Sequence, residues 1–330
     1  MILGGDIGGT KTHLALFNRG DGSCLRPVAE NRYVSHDYPG LESVMREFLS
    51  SQALLLKGRR ISAAAFGIAG PVVDEVCKAS NLPWVIRAGS IQEAFGIEKV
   101  RLINDLTANG YGIAGLSPDQ LLTLNEGRER PEGNGALIAA GTGLGEAFLL
   151  RDGPHFLPVA SEGGHSDFAP RNALEMELLA YLLERWSHVS FERVLSGPGL
   201  FNLYCFLRDS GRGVEPSWMR ERIAREDPSA VVTQAAFANE CDLCVKSLDL
   251  FISIYGSEAG NLALKFMAVG GLYVGGGIAP KMIDRMKDGT FMRSFVKKGR
   301  LSSVVEQIPV QVILDPRTAL YGAACCAALL

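Results

Sequence analysis

The chain has 330 residues, 47% apolar and 21% charged. This is the composition of an ordinary globular enzyme with a large core, and the length fits two domains. A net charge of −3 supplies no basic field for nucleic acid or an anionic membrane surface, so neither is an expected partner. The longest apolar run, near 266–279, is too short and too rich in glycine to cross a bilayer, which needs about 20 apolar residues.

Met1 leads straight into Ile-Leu-Gly-Gly-Asp without a basic segment, so no signal peptide is expected. Seven cysteines are too few, and odd in number, for a disulfide framework; a reducing, cytoplasmic setting fits. Cys241 and Cys244 form a lone CxxC. A zinc site needs a second pair or nearby histidines, so the spacing is read as two thiols on one helix face. Cys325 and Cys326 lie in an apolar terminal helix and are read as packing residues.

In chain order, 1–17 predicts two strands around a tight Gly8-Gly9-Thr10 turn. Residues 34–55 begin with turn residues and continue as an amphipathic helix. Residues 61–72 and 100–105 read as apolar strands. Residues 134–150 repeat the strand, glycine turn and strand of the N-terminus. Residues 171–186 and 233–267 read as long helical stretches, and 211–227 as polar surface helix and loop. Residues 271–282 read as a strand, a glycine turn and a helix start. The end is a strand followed by Asp315-Pro316, an Asp N-cap with Pro at the first helical position. Strands alternating with helices argue an α/β fold.

Three glycine turns and one strand tip carry chemistry. GGDIGGTKT (4–12) is not a P-loop: Thr10 separates the second glycine from Lys11, and a strand follows where a helix is required. It is not a dinucleotide fingerprint for the same reason. A glycine hairpin turn presents backbone N–H groups in a concave nest that suits phosphate, here Gly5, Asp6, Ile7, Gly8, Gly9 and Thr10. Asp6, at the turn entrance, suits a Mg²⁺ shell held through water. Lys11 reads either as a phosphate ligand or as a solvent-facing hairpin residue, and the whole motif alone is equally a plain turn. Gly141, Thr142 and Gly143 form a second nest. Gly275, Gly276 and Gly277 form a third turn, with room for a flat base against the backbone. At the tip of the strand in RLINDLTANG, Asn104 and Asp105 read as a helix cap or as a catalytic pair.

These segments together resemble the actin-like ATPase superfamily of sugar kinases, and specifically bacterial-type glucokinase. GDIGGTKT and GTGLGEAFL are similar to its two phosphate motifs and LINDLTANGYGI to its catalytic segment. EGGHSDFAP and ERVLSGPGLFNLY are similar to its sugar segments and YVGGGIAPK to its adenosine motif. The resemblance runs from residue 4 to about residue 322. It implies a two-domain actin-like ATPase (ribonuclease H-like) fold, with mixed sheets flanked by helices and a cleft between domains. The implied small domain is 1–112 plus 315–330, with the terminal helix crossing back to it, and the large domain is 113–314.

The resemblance also implies ATP-dependent phosphorylation of glucose at its 6-hydroxyl, the first step of glycolysis, with Mg²⁺ as cofactor. Sugar binding would close the two domains over the cleft, and a homodimer is expected. Asp105 is the implied base. Asn104 and Asp105 face the 3-, 4- and 6-hydroxyls, and Glu162, His165 and Glu192 the other side of the ring, including the anomeric hydroxyl. Gly163 and Gly164 would let Glu162 and His165 turn to one ligand. The plainer alternatives are a structural loop histidine for His165, a solvated charge paired with Arg193 for Glu192, and a capping amide for Asn104.

Gly164-His165 is not followed by the CxCxxGC cluster of the zinc-bearing repressor/kinase branch, which argues against that branch and its sugars. The few residues before Gly5 leave no room for a DNA-binding helix-turn-helix. The alternatives are a kinase for another hexose, a broad-specificity kinase, or a catalytically silent sugar-binding regulator. Asp105 argues against the last. A filament or chaperone of the superfamily would not need the EGGH and ERVLSGPG segments.

Overall fold

The computed structural model describes residues 1–18, 26–128, 130–153 and 155–330. Its strands are β1 (Ile2–Ile7), β2 (Lys11–Phe17), β3 (Pro27–Val34), β4 (Ala63–Ile68), β5 (Val72–Val73), β6 (Val76–Lys78), β7 (Val85–Arg87), β8 (Lys99–Asn104), β9 (Leu121–Asn125), β10 (Gly135–Ala140), β11 (Leu144–Asp152), β12 (His155–Ser161), β13 (Gly271–Gly275) and β14 (Val310–Ile313). Its helices are α1 (Leu41–Ser51), α2 (Ala53–Leu56), α3 (Ala88–Phe95), α4 (Asp105–Ile113), α5 (Ala173–Leu183), α6 (Gly197–Asp209), α7 (Ser217–Ile223), α8 (Pro228–Phe237), α9 (Asp242–Phe266), α10 (Ile283–Met286), α11 (Thr290–Val296), α12 (Ser302–Val305) and α13 (Thr318–Ala328). The chain forms two compact units. One is Met1–Leu121 with Leu149–Ala160 and Asp315–Leu330; the other is Leu122–Phe148 with Ser161–Leu314. The first unit differs from the expected 1–112 plus 315–330 by the segments 113–121 and 149–160.

The first unit is built on a mixed sheet of order β3-β2-β1-β4-β8. β1 pairs antiparallel with β2 and parallel with β4, and β4 pairs parallel with β8. Side chains of a strand alternate between faces, and here the alternation sorts them into two cores. Leu3, Leu14, Leu16, Ala64 and Phe66 pack with Val44, Phe48 and Trp84. Ile2, Ala15, Phe17, Ala63 and Ala65 pack with Leu320 and Ala324 of α13. β4 is buried at every position, as a parallel strand covered on both faces must be. The crossing of α13 with α4 is close: a Cβ on Gly322 would fall 1.7 Å from the Ala108 carbonyl oxygen. Only a glycine fits there, and that contact anchors the helix that begins at Asp105.

α13 starts later than the sequence suggests. The helix begins at Thr318 with Arg317 at the cap position, not at Pro316. Asp315 accepts the Arg317 N–H at 2.8 Å and the Arg317 guanidinium, and its carbonyl accepts Thr318 Oγ1 at 2.7 Å. The carboxylate closes a turn two residues on, so the helical register starts after it.

The second sheet has the order β12-β11-β10-β13-β14-β9, with β10, β13 and β14 parallel. In the second unit, Ile138, Val274 and Val312 pack against α9 and its neighbours in one core. The fully buried Tyr255 of α9 accepts the Ala140 N–H at 3.2 Å, pinning the end of β10. The expected helical stretch 233–267 is two helices. Asn239 adopts φ 53 and the Glu240 N–H reaches back to the Ala235 carbonyl at 3.0 Å, a Schellman-type stop. Cys241 therefore sits at the N-cap of α9, not on a helix face with Cys244; both are buried. Among the described residues no three metal-ligating side chains cluster, and no helix is long and apolar enough to cross a membrane.

Candidate active site

In the first unit, Ile7 stands opposite Thr12, so β1 and β2 are joined by a tight turn. Gly5 and Ile7 are buried within the sheet, and Gly8, Gly9 and Thr10 lie beyond it. Gly8 N–H donates to the Lys11 carbonyl at 2.9 Å. Ser35 fastens the turn: its Oγ donates to Gly8 O at 2.9 Å and meets Thr12 Oγ1 at 3.0 Å, and its N–H donates to Thr10 O at 3.0 Å. A Cβ on Gly9 would stand 2.6 Å from that of Asn81. Ser35 and Asn81 are unremarkable in the sequence, since only folding brings them to the turn. Lys11 is exposed.

β8 delivers Asn104 and Asp105 to the start of α4. The cap is Asn104: its Oδ1 accepts the Leu106 N–H at 2.8 Å and its Nδ2 donates to Gly70 O at 3.3 Å. Asp105 is the first helical residue. Its Oδ1 shares the same Leu106 N–H at 2.9 Å, at the positive end of the helix, where a negative charge is stabilised. Asp105 also acts on Asp6. Burial pushes the Asp6 carboxyl up to about 7, the charge of Asp105 adds to the rise, and the Arg32 guanidinium opposes it. Two carboxylates thus lie within electrostatic reach of each other beside the Gly8–Thr10 turn.

In the second unit, Gly141 N–H donates to Gly143 O at 2.8 Å, and Gly141 O accepts the Gly197 N–H at 2.8 Å. Gly197 is the first residue of α6, so a helix N-terminus abuts this turn. The Gly275–Gly277 turn joins them. Gly276 adopts φ 83, a Cβ there would fall 2.3 Å from Ala140 O, and the Ile278 N–H donates to the same oxygen at 3.3 Å. Thr142, Gly276 and Gly277 are exposed. Backbone N–H groups, a helix N-terminus and two open turns make a site for an anion beside a flat group.

His165 and Glu192 come together. They line a pocket of about 220 Å³ with Trp186, Ser187, His188, Ser190 and Arg193. The Phe191 N–H donates to Ser166 O at 3.0 Å, and Asp167 bridges Ser190, which hold the two segments side by side. Glu192 does not pair with Arg193. Its Oε2 accepts the Leu144 N–H at 2.9 Å, tying the sugar segment to the Gly141–Gly143 turn, while Arg193 stacks on the Trp186 ring at 4.6 Å. Glu162 is exposed and outside that lining, and its carbonyl accepts the His165 N–H at 2.9 Å.

The two glycines of this loop have a reason the sequence did not show. A Cβ on Gly163 would fall 2.1 Å from Glu146 Oε2, and one on Gly164 would fall 2.1 Å from Leu144 O. The loop lies directly on β11, which leaves no space for a side chain at either position. Sequence reasoning also passed over Trp186, His188 and Glu146. An aromatic at a helix end and an acid in a strand carry no local signal of a site.

The glucokinase family model matches residues 3–330. The glucokinase of Nostoc punctiforme is 42% identical over 343 residues, covering 100% of this chain and 99% of the relative. A crystal structure of glucokinase from an Antarctic psychrotroph matches with a TM-score of 0.87 at 31% identity, covering 100% of this chain and 99% of that one. A ROK family glucokinase from Streptomyces griseus, solved in complex with glucose and AMPPNP, matches with a TM-score of 0.63 at 20% identity over 100% of this chain and 99% of that one. At that identity the likeness is one of fold. With a family model spanning nearly every residue and a relative this similar from end to end, the chain belongs to the glucokinase family.

Proposed function

We propose that Asp105 is the catalytic base of an ATP-dependent glucokinase whose sugar ligands are Asn104, Asp105, Glu162, His165 and Glu192. The reaction moves the γ-phosphoryl group of ATP to the 6-hydroxyl of D-glucose, giving glucose 6-phosphate and ADP. What carries the reading is the placing of Asp105: a carboxylate at a helix start, close enough to the Gly8–Thr10 turn to raise the pKa of Asp6. As the bond from the sugar oxygen to phosphorus forms, Asp105 takes the hydroxyl proton, and the bond from phosphorus to the bridging oxygen breaks toward ADP. Phosphoryl transfer asks the protein mainly for alignment and charge stabilisation. The backbone N–H groups of Gly9, Thr10, Thr142 and Gly143 supply the second, those of Gly8 and Gly141 already being donated within their own turns, and Gly275–Gly277 gives the adenosine a surface.

Asp6 suits a Mg²⁺ shell. Two neighbouring carboxylates are opposed by the Arg32 guanidinium, and burial holds the Asp6 proton up to about 7; a dication favours the ionised form. Mg²⁺ held through water by Asp6 would neutralise phosphate charge. Carboxylates around the sugar make charge-assisted hydrogen bonds, about twice as strong as neutral ones. They also reject a sugar that leaves one of them unpaired. The same reading makes the protein a cytoplasmic homodimer, which light scattering on the purified protein tests.

The deciding experiment is a coupled ATP-consumption assay over a panel of hexoses, with Asp105→Ala beside the wild type. Turnover with glucose and its loss in the variant are expected. Undiminished turnover in the variant overturns the base assignment. Turnover with other hexoses alone overturns the substrate.

A further inference from the structure

Under the sugar loop lies a carboxyl pair that the reaction does not use. Glu146 on β11 is 1% exposed and Glu258 on α9 is fully buried. Glu258 is well supplied with donors: Asn261 Nδ2 reaches its Oε2 at 2.7 Å and Lys265 Nζ its Oε1 at 3.1 Å. Glu146 is not. Its Oε1 is buried and has no hydrogen-bond donor among the described residues, and the side chain facing it is Glu258. Two carboxylates bond to one another only through a proton. Burial raises Glu258 as well, but its amide and ammonium donors oppose that rise and Glu146 has no such donors, so the proton belongs on Glu146. Burial and the charge of Glu258 both raise its carboxyl, to about 7, against the pull of Lys265. The other titratable groups around the pair are Tyr255 on α9 and Lys298 after α11. Lys298 donates to Ser257 O at 2.8 Å and is lowered by burial to about 8.

The other oxygen of Glu146 touches the sugar loop. Oε2 fills the space in front of Gly163, where a Cβ would be 2.1 Å away, and Gly163 N–H is held by Ser161 Oγ at 2.9 Å. Gly163 begins the short turn that ends at His165. Glu146 therefore sits as a wedge between a fixed buried charge and the backbone that carries a sugar ligand.

We propose that Glu146 is a positioning residue for the sugar site: kept protonated between Glu258 and Gly163, it sets the height of the Gly163–His165 turn, so that glucose affinity falls when its proton is lost. Ionisation puts a second negative charge against Glu258 inside the protein, where like charges repel strongly. The side chain relieves this by moving toward the turn. Interiors are packed too tightly for that turn to stay in place. The inference rests on His165 being a glucose ligand.

The test is glucose affinity by titration calorimetry from pH 6 to pH 9, with kcat measured in parallel. The wild type should hold a constant Kd in acid and lose about tenfold by pH 9. Glu146→Gln, neutral and able to donate to Glu258, should match the wild type at pH 6 and stay flat to pH 9. Glu146→Ala should raise Kd about tenfold at every pH with a much smaller change in kcat. A Glu146→Gln profile that rises with pH like the wild type overturns the proposal, and so does a Glu146→Ala variant with unchanged Kd. His165→Ala is the control. If it leaves Kd unchanged, the reading of the sugar site fails; if it weakens binding while the Glu146 variants do not, only the present inference fails. An independent readout is the infrared difference spectrum between pH 6 and pH 9: a buried protonated-carboxyl band that is lost in the wild type and missing from Glu146→Gln supports the proposal, and a band unchanged in Glu146→Gln, which would then belong to Asp6, overturns it.

Discussion

Asp6 in the first unit and Glu146 in the second invite comparison. Each flanks a glycine turn, Asp6 just before Gly8 and Glu146 just after Gly143. Burial is the main cause that lifts each to about 7, and a second carboxylate adds to it. Their surroundings then part. The neighbour of Asp6 is Asp105, held at a helix start beside an exposed turn. The neighbour of Glu146 is Glu258, sealed in the core and tied to Lys265 and Asn261. The proposed function gives the first pair a cation, Mg²⁺, that comes and goes with substrate. The other already has its cation, on Glu258, and completes itself with a proton. The same perturbation of an acid thus arises beside an exposed turn in one place and inside the core in the other, and only the partner's surroundings tell the two apart.

Breaking each pair in turn sharpens that contrast. Asp105→Asn should lower kcat/KM by about 10²–10⁴-fold. It should also let Asp6 ionise at lower pH, because one of the two causes of its rise is gone; the carboxyl titration of Asp6 by NMR checks this. An Asp6 titration that does not move would separate the two carboxylates.

Glu146→Gln should act on stability and not on chemistry. A carboxyl raised in the folded state contributes stability that is full below its ordinary range and is lost as pH rises through the folded value. For Glu146 the window runs from the ordinary carboxyl value of 4.5 to about 7. The variant should melt with the wild type at the acid end and a few degrees above it at pH 8, a difference on the order of 2 kcal/mol. Melting curves at the two pH values decide it.

Gly163→Ala places a methyl group against the Glu146 carboxyl. The overpacking should cost about 1–3 kcal/mol and appear as a raised KM for glucose, with the KM for ATP unmoved. The smallest effect is expected at Ser35→Ala, which removes the hydrogen bonds of its Oγ with Gly8 O and Thr12 Oγ1. A loss of about 1 kcal/mol should appear as a severalfold higher KM for ATP, with glucose unaffected. A change in glucose KM of the same size would mean that the turn does not serve the nucleotide.

Much of the local architecture was legible along the chain. The hairpin around Gly8-Gly9-Thr10 shows in the alternation of Thr12 to Phe17, and Asp105 stands at a strand-to-helix junction that apolar residues and small residues mark on either side. The end of α8 was also written locally, in Asn239 as a left-handed stop, but a single Asn between two apolar stretches is weaker than the helical pattern around it. The start of α13 was misjudged because an Asp before a Pro closes a turn as readily as it caps a helix.

Chain pattern by itself thus determined the α/β alternation, the three glycine turns, the strand tip that ends in Asn104 and Asp105, and the family resemblance. All of these depend on residues that are neighbours in sequence and follow fixed periods of 2.0 and 3.6. Tertiary structure alone decided that Asn104 caps while Asp105 does not, that Ser35 fastens the first turn, that Gly163 and Gly164 are glycines because β11 lies against them, and that Glu146 meets Glu258. Apart from the cap, which is local and is fixed by the bond from Asn104 Nδ2 to Gly70 O, each of these is a contact between residues far apart in the chain. The state of a buried acid depends on every charge and donor that folding brings to it, and no stretch of sequence holds that list.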